Sequence, residues 1–367
     1  MAPVNRRGDP TIRIGIDENG LGPRLGPLVV TAVVARSFGL EGPRGAQKGP
    51  NVSGHQRAEQ RARGALRTRL ADSKKLVSHG DTALGEAWAR AIAHRMARRA
   101  ERTGPSPGLP TTPEHLVRAL SLDSPATLRS PCPEAHEAQC WNTDGEELVA
   151  EAKLVQTIEK DLAKLESQGV DVIWAACVIT CAQKLNEGVA GNLSRFDLDL
   201  HCMERLALHV REREGCDVVA TCGKVGGFDR YPQAFGPLGG RLHTVLSEGR
   251  ARSEYALPGL GRIAFVRDAD DSHLLVSMAS LIGKWVRDLL MARIVRHHRA
   301  VDPELPDASG YHDPVTTDFI DRTRLVRRSR ALPDDCFIRR ALGAVPARAA
   351  TSAARTQPSR SSRRAGA

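Results

Sequence analysis

The sequence of 367 residues lacks any apolar run long enough to cross a membrane. Its longest runs, residues 28–35 and 172–179, are shorter than ten residues, whereas a membrane-spanning helix needs about 20. The first ten residues contain no apolar stretch, which argues against an ordinary secretory signal. A composition of 41% hydrophobic and 26% charged residues is nevertheless sufficient for a packed core. We therefore expect a folded, cytoplasmic protein without membrane segments.

Two common signatures of ligand binding are also missing. The eight cysteines show no zinc-ribbon pairing, and without an export signal we interpret them as reduced thiols. Cys132, His136 and Cys140 form a C-x3-H-x3-C cluster without a fourth ligand. A loop is therefore the simpler interpretation, and a metal site is the alternative. The sequence also has no G-x-x-x-x-G-K-[ST] phosphate loop, which weighs against an unrelated phosphotransferase.

Acidic residues are absent from the C-terminal segment. From Gly343 onward there are five arginines and no Asp or Glu, within a chain of formal charge +10. This segment is rich in Ala, Ser and Arg and has no apolar periodicity, so we predict a basic disordered tail over residues 343–367. Its charge is either solvated or attracted to phosphates. Residues 1–342 are predicted to form a single domain, with insertions at about 36–70 and 103–145.

The apolar patterns predict an α/β domain with a mixed sheet. Two strands at residues 11–17 and 26–35 flank a turn rich in glycine, which is typical of a hairpin. The many prolines of residues 103–145 predict irregular structure there. Further strands are predicted at 172–180, 217–221, 243–246 and 262–266, and helices at 86–101, 200–214 and 273–298.

Two groups of acidic residues follow apolar strands. Asp17 and Glu18 end the first strand and run into the glycine-rich turn, where solvated acids are the simplest interpretation. Asp268, Asp270 and Asp271 follow a late strand and precede the longest helix; helix capping explains Asp271 but not three acids in four residues. If the two strand ends are neighbours, Asp17 and Asp270 converge. Clustered carboxylates repel one another unless a hard cation such as Mg²⁺ or Mn²⁺ neutralises them.

Four segments of the sequence resemble signatures of the ribonuclease HII family, in the same order and over about residues 11–325. The segment IGIDENGLGPRLGPLVVTAVV is similar to the opening hairpin of that family in ungapped register. The others are residues 72–76 (DSKKL), Asp270 followed by residues 277–288 (SMASLIGKWVRD), and residues 309–314 (SGYHDP).

The resemblance implies a ribonuclease H-like fold, with a mixed five-stranded sheet flanked by helices. It also implies metal-dependent endonucleolytic cleavage of RNA within RNA–DNA duplexes, with Mg²⁺ or Mn²⁺ as cofactor. The partner would be an RNA–DNA hybrid or a duplex DNA that contains ribonucleotides. The catalytic and metal-binding residues implied are Asp17, Glu18 and Asp270.

The resemblance further implies which residues contact the substrate. Tyr311 would lie against the sugar at the ribose–deoxyribose junction, where an aromatic ring favours a sugar without a 2′-hydroxyl; a partly buried core tyrosine is the alternative. Lys284 and Arg287 are one helical turn apart and face either phosphate or solvent, and we favour solvent for Arg287. The substrate-binding residues implied are Gly20, Gly22, Lys74, Lys75, Lys284 and Tyr311.

The sequence departs from the family pattern at two positions. Leu21 stands where the family commonly has Arg or Lys, and Arg24 is a candidate substitute. The third acid of the family falls on Cys222 or Gly223, and the candidate replacements are Asp229 and Glu248. Because two-metal hydrolysis needs ligands for both cations, three hypotheses remain open. The protein is a nuclease with an altered ligand set, a catalytically silent relative that binds duplex nucleic acid, or an unrelated α/β enzyme such as a phosphotransferase.

Overall fold

A mixed β-sheet organises the chain in this computed structural model, which describes residues 11–37, 66, 68–70, 76, 81–101, 108–133 and 139–340. Within these residues the sheet has seven strands. They are β1 (Thr11–Asn19), β2 (Leu28–Ser37), β3 (Val170–Thr180), β4 (Val218–Gly223), β5 (Thr244–Ser247), β6 (Arg252–Leu257) and β7 (Gly261–Val266).

The strands run in both directions. β2 is antiparallel to β1 and β3, whereas β4 runs parallel to β1, and β7 runs parallel to β4. β6 and β5 extend the sheet as antiparallel strands and complete the order β3-β2-β1-β4-β7-β6-β5. Because β1, β4 and β7 are parallel, all three end at one edge of the sheet, which we name the carboxyl edge.

The predicted class, a mixed sheet flanked by helices, is confirmed, but the predicted number of five strands is wrong. The described residues contain seven. The sequence patterns missed β6 because its residues, RSEYAL, alternate between exposed and buried positions and form no apolar run. The other predicted strands and the three predicted helices are present, with bounds that differ by five residues or fewer.

Helices cover both faces of the sheet. None of those in the described residues combines the length and the apolar character that crossing a membrane requires. The helices are α1 (Ala83–Glu101), α2 (Pro113–Leu120), α3 (Pro125–Arg129), α4 (Ala152–Ser167), α5 (Ala182–Ala190), α6 (Arg195–Glu214), α7 (Ala269–Ser272), α8 (Leu274–Arg299), α9 (Pro314–Arg322) and α10 (Arg324–Ser329).

Two apolar clusters separate the helices from the sheet. Successive side chains of a strand point to opposite faces, so Val29 and Val33 of β2 pack with α1, α4 and α8, whereas Val30 and Val34 pack on the other face with α6. On β1, Ile14 and its even-numbered neighbours face α6. The fold therefore gives each residue at the end of β1 a defined side of the sheet.

The missing side chain of Gly15 allows α8 to pack directly on β1. A Cβ at this position would lie 2.2 Å from the carbonyl carbon of Leu275. Near the end of β1, the Asn19 side chain donates to the Ser280 carbonyl at 3.2 Å. A Cβ on Gly283 would lie 2.6 Å from Asn19 Nδ2. These close approaches place the first turns of α8 against the acidic end of β1.

The insertion at residues 103–145 is not irregular throughout, in contrast to the prediction. Pro113 and Pro125 are the first residues of α2 and α3, and the side chains of Thr112 and Ser124 cap these helices. Proline is compatible with the first helical position because that residue has no intrahelical N–H bond to lose. Residues 102–107 and 134–138 lie outside the described residues, as do most of the predicted insertion at 36–70 and the predicted tail.

We expect Gly15→Ala to lower the free energy of unfolding by about 2 kcal/mol or more, because the added methyl group overlaps the α8 backbone. Gly22→Ala is the matched control, since a Cβ there meets no atom within 4 Å; we expect a change within about 0.5 kcal/mol. Urea denaturation of both variants measures the difference. Equal stability of the two variants would contradict the packing described.

The fully buried Glu204 of α6 makes the stability of the fold depend on pH. Its Oε2 accepts hydrogen bonds from the N–H of Leu238 at 2.7 Å and of Gly236 at 3.1 Å. Burial raises the pKa of Glu204 from 4.5 to about 7, although these N–H groups oppose the increase. Between these two values the folded chain keeps a proton that the unfolded chain releases. Stability therefore falls as the pH rises through this range.

A difference of this size corresponds to about 3 kcal/mol of stability, lost between about pH 4.5 and pH 7. We expect Glu204→Gln to remove this slope, because the amide keeps the acceptor oxygen and does not titrate. Thermal or urea unfolding at several pH values tests this. An unchanged slope would show that Glu204 does not carry the dependence.

Candidate active site

Asp17 and Glu18 lie at the carboxyl edge, where β1 ends. Asp17 is only 7% exposed, and Glu18 is half-buried. On the neighbouring strand, a Cβ at Gly223 would lie 2.8 Å from Asp17 Oδ1 and 3.7 Å from Glu18 Oε2. Cys222 is fully buried in the apolar cluster with α6. Of the two positions at which the family's third acid falls, Gly223 is therefore the one that faces the acids, and it has no side chain.

Asp199 is a further acid of this region, and none of the sequence motifs marks it. It lies in α6 with 0% exposure, and neither carboxyl oxygen has a hydrogen-bond partner among the described residues. Burial raises the pKa of Asp199 well above its ordinary value, and the charges of Glu18 and Asp17 raise it further. Asp199 is therefore within the electrostatic influence of both residues.

One sequence signal could have identified Asp199. On α6 it precedes Met203, Leu206 and Val210 at spacings of four, three and four residues, and all three are fully buried. The apolar stripe of an amphipathic helix follows this spacing. An acidic residue within such a stripe must be paired, protonated or bound to a cation, because burying a free charge is costly.

Asp270 lies in α7, directly after β7, and is half-buried. Its Oδ1 accepts the Asp271 N–H at 3.1 Å, and its carbonyl oxygen accepts the hydroxyl of Ser277 from α8. Only β4 separates β7 from β1. The parallel strands thus bring Asp17 and Asp270, which are 253 positions apart in the sequence, to the same edge of the sheet.

The acids do not form a ready-made metal site. Among the residues that the structure describes, no three His, Cys, Asp or Glu side chains converge to enclose a metal ion. Their chemistry alone is compatible with Mg²⁺ or Mn²⁺, because these hard cations prefer oxygen ligands, and Mg²⁺ usually keeps several waters beside one or two carboxylates. The buried, unpartnered oxygens of Asp199 fit this chemistry.

The two other candidate acids are engaged elsewhere. Asp229 is exposed and pairs with the Lys224 ammonium at 2.6 Å. Glu248 accepts the Tyr255 hydroxyl at 2.9 Å and lies 3.4 Å from the Arg230 guanidinium. Their charges are therefore balanced by groups outside the cluster of Asp17 and Glu18.

The glycine-rich turn after Glu18 docks onto the segment that contains Tyr311. The N–H groups of Arg24 and Leu25 donate to the Gly310 carbonyl at 2.7 and 3.1 Å. Gly20 adopts a φ of +89°, and a Cβ there would lie 2.7 Å from Arg287 Nε. Glycine is therefore required at position 20, both for its backbone conformation and for space.

Tyr311 is 47% exposed, so the alternative of a core tyrosine is wrong. Its ring lies 4.7 Å from the Arg287 guanidinium. Arg287 is only 3% exposed and donates to the Ser309 carbonyl at 2.9 Å, so the expectation that it faces solvent is also wrong. The glycine-rich turn and the Tyr311 segment cover this side of α8.

Of the cationic residues that the sequence predicted to contact substrate, two bind other residues of the protein and two lie outside the described residues. Lys284 is half-buried and pairs with Asp288 at 2.5 Å. Arg24, the candidate substitute for the cation missing at Leu21, donates to the Thr317 hydroxyl at 2.9 Å. Lys74 and Lys75 lie outside the described residues.

Cys132 and Cys140 line a cavity of about 20 Å³ together with Cys181 and Cys336. Burial raises the pKa of Cys336 to about 12 and also raises the pKa of Cys181, which favours protonated thiols over metal-binding thiolates. His136 lies outside the described residues. The simpler interpretation of the sequence cluster therefore remains preferable to a metal site.

Arg339 stabilises the glycine-rich turn through two buried hydrogen bonds. It is 3% exposed and donates to the carbonyls of Gly20 and Gly26, the latter at 2.7 Å. We expect Arg339→Met to lower the free energy of unfolding by about 2 kcal/mol, because two buried carbonyls lose their donor. The adjacent Arg340 is exposed and pairs with Asp335, so Arg340→Met should leave stability unchanged. Equal effects of the two substitutions in urea denaturation would contradict this role.

Three solved structures are similar to this chain. One, ribonuclease HII from Archaeoglobus fulgidus in a complex with PCNA, has 17% identity and a TM-score of 0.37, covering 89% of this chain and 93% of that chain. Ribonuclease H2 from Pyrococcus horikoshii OT3 has 13% identity and a TM-score of 0.40, covering 89% and 92%. Bst-RNase HIII in complex with Mn²⁺ has 12% identity and a TM-score of 0.41, covering 91% and 67%. No protein-family model and no curated protein matches the sequence.

Proposed function

We propose that this protein is a metal-dependent endonuclease that hydrolyses the RNA strand of RNA–DNA hybrids, as its resemblance to the ribonuclease HII family implies. The observation that carries the proposal is the position of Asp17 and Glu18 at the carboxyl edge, beside the buried and unpartnered carboxyl group of Asp199. Such a concentration of carboxylates is stable only when protons or cations neutralise it. A divalent cation is the neutralising group that also supplies hydrolytic chemistry.

We assign the roles of the acids from the family resemblance. Asp17 and Asp270 would hold Mg²⁺ or Mn²⁺, and Glu18 would complete the ligand set through its carboxylate or its backbone carbonyl. When bound, the cation lowers the pKa of a coordinated water and stabilises the charge of the phosphate. Asn19 supports this geometry, because its hydrogen bond to Ser280 fastens the end of β1 to α8.

Substrate recognition is assigned to the neighbouring turn and to Tyr311. Gly22 is exposed and has no side chain, so it allows a nucleotide to approach the backbone closely. The exposed ring of Tyr311 packs against a deoxyribose, and Arg287 supports the ring from behind. Lys74, Lys75 and Lys284 provide charge for phosphates. A cytoplasmic location is part of the same proposal.

A cleavage assay tests the function. Labelled duplexes with one, four or many ribonucleotides are incubated with Mg²⁺ or Mn²⁺, and the products are separated on gels. We expect metal-dependent cleavage that Asp17→Asn lowers by orders of magnitude, because a ligand carboxylate is lost. Asp229→Asn is the matched control and should retain activity, since Asp229 is exposed and paired with Lys224. Cleavage in the presence of a chelator would contradict the proposal.

A catalytically silent protein that binds duplex nucleic acid is the second candidate. The absence of a side chain at Gly223, which faces Asp17 and Glu18, favours this alternative. It predicts affinity for hybrids that falls with salt, because binding to phosphates releases counterions, and no product with either metal. Product formation that depends on Asp17 would exclude it.

A further inference from the structure

The position equivalent to the third acid cannot supply a ligand. Gly223 faces the acids but has no side chain, and a Cβ there would already lie 2.8 Å from Asp17 Oδ1. Cys222 is buried in the apolar cluster on the other side of β4. A thiol is also a poor ligand for hard cations such as Mg²⁺. Any third carboxylate must therefore come from another element of the fold.

Helix α6 approaches the acids from the face to which Glu18 belongs. The even-numbered residues of β1 point toward α6, and Glu18 continues their series. The start of α6 is held in place by a capping box between Ser194 and Asp197. Arg195 also donates to the Pro23 carbonyl in the glycine-rich turn at 3.3 Å. These contacts fix the start of α6, the helix that carries Asp199, against the glycine-rich turn.

The two fully buried acids Asp199 and Glu204 lie on the same helix and differ in how their charge is satisfied. Glu204 Oε2 accepts two backbone N–H groups, from Leu238 and Gly236, and only its Oε1 lacks a partner among the described residues. Both oxygens of Asp199 lack a partner among the described residues. Buried polar groups are normally hydrogen-bonded. The partner that Asp199 lacks is therefore to be sought outside the described residues, and we look for it on the side of Asp17 and Glu18.

We infer that Asp199 is a ligand of the divalent cation held by Asp17 and Glu18, and that it replaces the carboxylate absent at Gly223. This inference rests on the proposed metal-dependent function and adds a residue of α6 to the ligand set. The cation offsets two of the three negative charges and gives the buried oxygens of Asp199 a partner.

Binding of Mn²⁺ alone tests the inference without any measurement of activity. The full chain is titrated with Mn²⁺, and free Mn²⁺ is followed by electron paramagnetic resonance. We expect Asp199→Asn to weaken Mn²⁺ binding about tenfold or more, as for other groups that support metal sites. Glu204→Gln is the matched control, because it also replaces a buried acid of α6 by its amide, and it should bind Mn²⁺ as the unmodified chain does.

A thermal-shift measurement provides a second readout. Because a ligand that binds only the folded state raises the melting temperature, Mn²⁺ should stabilise the unmodified chain and Glu204→Gln more than Asp199→Asn. In a chelator, Asp199→Asn should melt no lower than the unmodified chain, since the substitution removes an unpartnered acid. Asp199→Ala should lose Mn²⁺ affinity to a similar extent and serves as the second variant if the asparagine variant folds poorly.

The outcomes separate this inference from the proposed function. If Asp17→Asn abolishes Mn²⁺ binding while both Asp199 variants bind normally, the inference is overturned and the proposed function stands. If the unmodified chain binds Mn²⁺ through Asp199 but cleaves no duplex, the inference stands and the proposed nuclease activity fails. If the unmodified chain does not bind Mn²⁺ at all, both are wrong.

Discussion

The concentration of negative charge at one edge of the sheet is the constraint on which the rest of this structure depends. Asp17 and Glu18 share the end of β1, and Asp199 approaches them from α6 without a hydrogen-bond partner in the described residues. Like charges repel, and low exposure weakens the screening by water. The raised pKa of Asp199 is the consequence of its burial and of this repulsion, and either a proton or a bound cation relieves the repulsion.

Three buried arginines supply positive charge around the neighbouring glycine-rich turn. Arg195, Arg287 and Arg339 are each 3% exposed and lie around the glycine-rich segment. Burial, together with the charges of Arg287 and Arg195, lowers the pKa of Arg339 well below its ordinary value. Their hydrogen bonds go mainly to backbone carbonyls such as those of Gly20 and Pro23. The arginines therefore shape the turn, and Arg287 also supports the ring of Tyr311.

Much of the fold was predictable, because burial imposes regular patterns on strands and long helices. The sequence did not predict β6, because its residues alternate between buried and exposed positions and form no apolar run. It did not predict α2 and α3, because their prolines were interpreted as helix breakers and not as first helical residues. Arg287 was assigned to solvent because its covering segments lie far away in sequence. For Arg287 the deciding contacts were tertiary, whereas for α2 and α3 they were the local caps Thr112 and Ser124.

The sequence alone determined the acidic end of β1, the glycine-rich turn and the identity of the motif residues, because these are local patterns of a few positions. Only the tertiary structure decided that Gly223 and not Cys222 faces Asp17, since that depends on which face of β4 each residue occupies. It also decided that Asp199 is buried where the charges of Glu18 and Asp17 act on it. A helix contributes one side chain to a site on a sheet only through packing, and packing distance is not encoded in the spacing of residues along the chain.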